Sequence, residues 1–273
     1  MQFRPCIDIH NGRVKQIVGG SLRDAGDSAR ENFVAEQDAA WFAALYREAG
    51  LSGGHVILLN SADSEYYTRT KEQAFAALGA FPGGLQAGGG ITAENAAEFL
   101  EAGASHVIVT SYVFREGRID YGRLERIAAA VGRDRLVLDL SCRKLDGAYR
   151  IVTDRWQKVS EIQVDQGLLE CLSGYCDEFL VHAVDVEGKA SGIEEELAGA
   201  LSEWEKTTVT YAGGVHTYED LRILKKLGRG RLNVTVGSAL DLFGGVLSWR
   251  RVREICEDEG MESRSGANAS MVR

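Results

Sequence analysis

Eight short apolar runs recur along the chain, and each is followed by a stretch with helical periodicity. The runs are PCIDI (5–9), HVILLN (55–60), GLQAG (84–88), HVIVT (106–110), RLVLDL (135–140), EFLVHAV (178–184), TVTYAG (208–213) and LNVTVG (232–237). The amphipathic stretches are 37–50, 68–80, 93–103, 120–131, 159–173, 193–205, 217–227 and 245–258. Val/Ile/Leu runs without polar alternation belong to strands buried on both faces, as in a parallel sheet covered by helices. Eight such strand–helix units in a chain of this length predict an α/β fold, specifically a closed (β/α)8 TIM barrel. An open doubly wound sheet is the competing architecture. The even eightfold repeat, and a first turn without Gly-x-Gly-x-x-Gly, count against it. A single barrel is expected over residues 1–259, with 260–273 a disordered C-terminal tail of small polar residues. The long Gly/polar segment 11–33 would fall in the first loop of the catalytic face, where it is a candidate lid.

Charge narrows the partners. With 31 Lys and Arg against 40 Asp and Glu, the net charge is −9, which excludes a general nucleic-acid or anionic-membrane binder. An anionic ligand would have to be held by local donors rather than by the field of the whole protein. No apolar run approaches the roughly 18 residues of a membrane span, and the N-terminus does not read as a signal peptide. The five cysteines form no C-x-x-C pair, which fits reduced thiols in a cytoplasmic protein. Five scattered histidines (His10, His55, His106, His182, His216) show no metal-ligand spacing, so no metal is expected.

Three features occur twice at nearly constant separation. Aspartate ends a strand in CIDI and again in VLDL, so that Asp8 and Asp139 lie 131 positions apart. Gly-Gly followed by a β-branched residue and Thr opens a helix in GGGIT (88–92) and AGGVHT (212–217), with Gly90 and Gly214 separated by 124. Ser111 and Ser238, at neighbouring strand ends, are separated by 127. Each offset is close to half the patterned chain, which suggests a doubled four-strand half-barrel. In a closed eight-strand barrel the first and fifth strands face each other, so Asp8 and Asp139 would oppose one another at the mouth. The glycine sites would flank that axis, an arrangement suited to a long ligand with an anionic group at each end.

A Gly-Gly turn into a helix exposes backbone N–H groups, and the missing side chains let a phosphate approach closely. Thr110, Ser111 and Ser238 could add hydroxyl donors. The alternative is purely structural: tight turns at Gly88–Gly90 and Gly213–Gly214, capped by Thr92 and Thr217. Two strand-end aspartates can divide base and acid work. They could equally be structural carboxylates paired with Arg13, Lys15, Arg143 or Lys144. His182 ends the sixth run, where a core histidine and a catalytic one are both reasonable; Asp185 and Glu187 in the following loop could simply cap it. Trp156 could stack on a planar ring or pack a loop against the rim. Cys142 has no histidine partner in sequence, which argues against a thiol nucleophile.

The segments PCIDIHNGRVKQIVGG (5–20), LQAGGGIT (85–92), HVIVTSYVF (106–114), LVLDLSCRK (136–144), FLVHAVDVEGKASG (179–192), TYAGGVHTYEDL (210–221) and TVGSALDLF (235–243) together resemble one family. It is the phosphoribosylformimino-5-aminoimidazole carboxamide ribotide isomerases of histidine biosynthesis, and the wording HAVDVEG is closest to the eukaryote-type branch. The resemblance implies a cofactor-free Amadori rearrangement of the aminoaldose ProFAR to the aminoketose PRFAR. The partner it implies is a small bisphosphorylated ribonucleotide, with no nucleic acid or membrane, and a monomer is the expected state. By motif match Asp8 is the general base at ribose C2, and Asp139 is the general acid that helps open the ring. Gly89, Gly90, Thr110 and Ser111 would hold one phosphate, and Gly213, Gly214, Gly237 and Ser238 the other. Trp156 falls where the family's fifth loop carries a Trp that packs on substrate.

The chain departs from the usual bacterial pattern after the sixth strand. Reading back from Gly188 puts His182 at the position of the bacterial Thr, whereas a one-residue shift puts Ala183 there. We take His182 as the third catalytic residue. Glu187-Gly188-Lys189 replaces Asp-Gly-Thr, which leaves that loop's role open. Two other functions compete: the sister cyclase subunit of imidazole glycerol phosphate synthase, and a non-catalytic barrel that binds a phosphometabolite. The cyclase's Ser-Met-Asp-Arg-Asp-Gly after the sixth strand is missing here, and a pure binder would have little need of both aspartates.

Overall fold

Each apolar run becomes a strand: Cys6–His10, Gly54–Leu58, Leu85–Gly88, Val107–Val109, Leu136–Asp139, Glu178–His182, Thr208–Ala212 and Asn233–Thr235. They lie side by side in chain order, every adjacent pair parallel. The computed structural model describes residues 1–18, 21–23, 26–154, 156–189 and 191–258. The tail expected over 260–273 lies outside the described residues. A helix follows each strand: Ala39–Glu48, Tyr67–Ala80, Ala96–Glu101, Tyr121–Val131, Gln166–Leu172, Glu195–Ser202, Tyr218–Leu227 and Trp249–Glu257. Several start where a side chain satisfies the first free amides. Asp38, Asp120 and Asp165 accept from Trp41, Arg123 and Leu168, while Thr217 and Asp220 form a reciprocal capping box.

The sheet is curled. Ile108, Val137, Leu180 and Ala212, with Ile57 against them, form a small apolar cluster separate from the main core that includes the buried helix faces. Its members come from five strands, which a flat sheet would hold too far apart to touch. At the other end of the strands, the carboxylate of Glu178, only 3% exposed, gathers groups distant in the sheet order. It pairs with Arg4, and it accepts from Gln86 Nε2 at 2.8 Å and Thr210 Oγ1 at 2.5 Å. Glu178→Gln would leave the guanidinium of Arg4 without its counter-ion in a largely buried place. We expect a loss of about 3 kcal/mol in urea denaturation; a midpoint equal to wild type would show that Arg4 finds another partner. Beside the last strand, Phe3 makes an isolated parallel bridge to Val234, with Arg4 N–H donating to Val234 O at 2.9 Å and Val234 N–H to Gln2 O at 3.0 Å.

Two expectations need correcting. Part of segment 11–33 is sheet rather than open loop: Arg13–Ile17 runs back antiparallel along the first strand, and Glu31–Val34 pairs with it. The stretch 159–173 is not one helix. Lys158–Gln163 is a strand, and the helix begins only after the Asp165 cap. Ser160 points in while its neighbours face solvent, the alternation of a half-exposed strand, and Val159 and Ile162 favour extended backbone. This strand completes an antiparallel sheet with Cys142–Leu145 and Ala148–Thr153 that extends the loop after the fifth parallel strand.

Candidate active site

The carboxyl ends of the parallel strands surround a cavity of about 560 Å³. All twelve residues singled out in the sequence line it: Asp8, Gly89, Gly90, Thr110, Ser111, Asp139, Trp156, His182, Gly213, Gly214, Gly237 and Ser238. Their positions are dictated by strand ends and the turns that follow them, which is why residues up to 230 positions apart meet in one place.

Asp139 is a hub of hydrogen bonds. Thr110 Oγ1 donates to its Oδ2 at 3.1 Å, and Ser141 Oγ lies 2.9 Å from Oδ1 and 3.1 Å from Oδ2. His182 Nδ1 is 3.2 Å from Oδ1. Burial alone would push this carboxyl up, but the His182 charge and the bonds from His182, Ser141 and Thr110 outweigh it, and the group is held below its ordinary value. His182 responds in the opposite direction. Burial would lower it, yet Asp139 first, then Glu187 and Asp8, raise it to about 9.

Asp8 has a different environment. Among the described residues its side-chain hydrogen bond comes from Gln16 Nε2 at 3.2 Å. Burial, reinforced by the Glu187 charge, raises it to about 7 in spite of His182 and Gln16. Glu187 is also raised, by burial, and a side chain on Gly213 would come within 3.2 Å of its Oε2. His55 stands edge-on to His182 with ring centroids 6.2 Å apart, and burial first, then the His182 charge, pushes it down to about 3. It is therefore a neutral neighbour.

Trp156 adopts a positive φ of 66° and tilts over His182 at 5.9 Å between ring centroids. Its Nε1–H donates to Ser141 Oγ at 3.0 Å. The anion-site candidates divide. The hydroxyl of Thr110 is committed to Asp139, and that of Ser111 accepts from Asp154 N–H at 3.1 Å. Thr217 caps its helix as expected, but Thr92 does not, since that helix starts three residues later at Asn95 and Ala96. Asn95 instead closes the turn, donating to Gly90 O at 3.0 Å and accepting from Thr92 N–H at 2.8 Å.

Two contributors, Gln16 and Ser141, escaped the reading of the sequence, and a third, Glu187, was read there only as a loop residue that could cap the strand end. Ser141 carried a usable signal, because residues two apart on an extended segment share a face and Asp139 had already been marked. Gln16 reaches Asp8 from the antiparallel return strand, and Glu187 from a loop, so neither has a periodic signature. Cys142 is buried and pushed up, which keeps it a thiol. Among the described residues no cluster of three or more His, Cys, Asp or Glu is arranged to hold a metal ion, and no helix is long and apolar enough to cross a membrane.

The model of a family described as "Histidine biosynthesis protein" matches residues 2–247. The chain is 52% identical over 256 residues to a Medicago truncatula protein, covering 92% of this chain and 80% of the relative. That relative is named 1-(5-phosphoribosyl)-5-((5-phosphoribosylamino)methylideneamino)imidazole-4-carboxamide isomerase, chloroplastic. Isomerases of the same name from Neurospora crassa and Saccharomyces cerevisiae are 48% and 41% identical, over 89% and 90% of this chain and 93% and 94% of theirs.

Proposed function

The chain belongs to the histidine biosynthesis protein family, and on that premise we propose that it works as the isomerase its relatives are named for. Its substrate is the bisphosphorylated aminoaldose ProFAR and its product the aminoketose PRFAR. The observation that carries this reading is one cavity holding two strand-end carboxylates whose surroundings push them apart, Asp8 upward and Asp139 downward. Acid–base isomerisation needs groups differentiated in this way. Asp8 removes the C2 proton, and the hydrogen-bonded Asp139–His182 pair serves the ring oxygen. The turns at Gly89–Gly90 and Gly213–Gly214, with Ser111, Gly237 and Ser238, hold the two phosphates, and Trp156 covers the substrate between them.

The proposed architecture is the closed (β/α)8 barrel over residues 1–259. Its support is the Phe3–Val234 bridge with its two flanking backbone bonds, which joins the last parallel strand to the segment leading into the first. A monomer is proposed because the exposed large apolar side chains, among them Trp41, Tyr121 and Val246, are scattered over separate elements. The five free thiols support the cytoplasm as the compartment, although the Medicago relative is named chloroplastic.

Purified protein supplied with ProFAR alone, without metal, nucleotide or ammonia, is expected to form the aminoketose, reported by a coupled cyclase. The kcat/KM profile should rise with pH up to about 7, because Asp8 must be ionised to act as a base and its carboxyl titrates there. A profile already flat from pH 5 would exclude Asp8 in its observed surroundings as the base. Inactivity on ProFAR, with cyclisation once PRFAR and ammonia are added, would replace the isomerase by the cyclase.

A further inference from the structure

Resting on the isomerase reading, we propose that the proton delivered to the substrate's ring oxygen leaves from Nε2 of His182, and that Asp139 is a positioning residue acting through it. The hydrogen-bond directions around Asp139 carry this. A tryptophan Nε1–H can only donate, so Ser141 Oγ accepts from Trp156, which leaves its own hydrogen free to donate to Asp139 at 2.9 Å. Thr110 Oγ1 donates to the same carboxylate. The Asp139 charge favours a protonated His182, whose Nδ1 is then the third donor, so that both oxygens of Asp139 accept, as those of an ionised carboxylate do. Holding Nδ1 also orients the ring, leaving Nε2 as the nitrogen available to a ligand in the cavity that His182 lines.

The remaining neighbours favour the same protonation state. Asp8 from the first strand and Glu187 from the loop after the sixth add negative charge, and His55 from the second strand is neutral. Trp156 covers the ring without contributing a charge. His182 is thus protonated while Asp8 is ionised between about pH 7 and about pH 9, the window in which acid and base coexist.

The proton count closes without any further reactant. His182 Nε2–H protonates the ring oxygen as the C1–O bond breaks, that bond's electron pair staying on oxygen while the exocyclic nitrogen lone pair forms the C1=N bond. Asp8 then takes the C2 proton; the C–H pair becomes C1=C2 and the C=N pair returns to nitrogen. Finally C1 regains a proton from Asp8, and the C2 hydroxyl yields its proton to His182 as C2 becomes the ketone carbon. Both residues end in their starting states.

The test compares wild type, His182→Asn and Asp139→Asn. Asn at 182 keeps a donor near Asp139 but has no titrating proton. We expect kcat to fall about 10²–10⁴-fold in His182→Asn, with loss of the limb at which wild-type kcat/KM declines near pH 9. Asp139→Asn should keep that limb but move it down by about one unit or more, because the imidazolium loses its anion. Nitrogen-15 NMR of histidine-labelled wild type, with the His182 signal assigned by its disappearance in His182→Asn, should show both ring nitrogens protonated at pH 8. Two results would overturn the proposal: a neutral His182 at pH 7, or an alkaline limb that vanishes in Asp139→Asn while His182→Asn keeps it. The NMR reading needs no substrate, so failure of the isomerase reading and failure of this inference are distinguishable.

Discussion

Asp8→Asn is expected to lower kcat roughly 10³-fold while leaving substrate affinity within a few-fold of wild type. The substitution is nearly isosteric, and its amide oxygen can still accept from Gln16, so the geometry at the end of the first strand is preserved. What disappears is the proton acceptor, whose contribution exists only in the transition state. Stability should move the other way. The Asp8 carboxyl is raised in the folded protein from 3.8 to about 7, so its ionised form is disfavoured by folding. That penalty appears as pH rises above the unfolded value and is complete above about 7. At pH 8 a neutral Asn therefore removes an unfavourable buried charge, and the thermal midpoint should be equal to or higher than that of wild type. A mutant that loses activity together with several degrees of thermal stability would mean that Asp8 is a structural carboxylate instead.

The parts legible in the sequence were those set by burial on both sides. The eight parallel strands announce themselves because a covered sheet tolerates only apolar residues, and HVIVT or RLVLDL cannot serve elsewhere without exposing them. Asp8, Asp139 and His182 stood out because each interrupts or ends such a run. The excursion after the fifth strand did not stand out. KVSEIQ has the mixed polarity of a surface strand, and together with QGLLECL it imitates one long amphipathic helix. Polarity patterns also say nothing about direction: they marked Asp139 as half of an acid–base pair, but the donors that keep it ionised come from Thr110, Ser141 and His182, and the bond fixing Ser141 comes from a tryptophan on that misread excursion. The inner cluster of Glu178, Arg4, Gln86 and Thr210 was equally hidden, since a polar residue inside a curled sheet looks in sequence like one facing solvent.

The glycine turns left two explanations open, and side chains added to them separate the two. At Gly214 a Cβ would lie 2.0 Å from the backbone oxygen of Gly192, with φ at +77°, so glycine is required by the chain itself. Gly214→Ala must displace the loop that carries Glu187, at a cost of about 3 kcal/mol or more from overpacking and left-handed backbone. Gly89 is similar, its Cβ meeting Leu58 O at 2.1 Å. Gly90 differs: its φ is +73°, but a Cβ there meets nothing within 4 Å, and the residue lines the cavity. Gly90→Ala should therefore cost only about 1 kcal/mol in stability, from the left-handed backbone. If a phosphate approaches that bare backbone, the new methyl group stands in its way, and losing one charge-assisted hydrogen bond of about 1.5–3 kcal/mol raises KM by about 10- to 100-fold. Thermal melts and ProFAR kinetics on the pair decide between the explanations. A large stability loss in Gly214→Ala beside a KM defect in a stable Gly90→Ala places the anion at the first turn. A stable Gly90→Ala with unaltered KM leaves that turn a structural element alone, and the phosphate must then be held by other groups around the cavity.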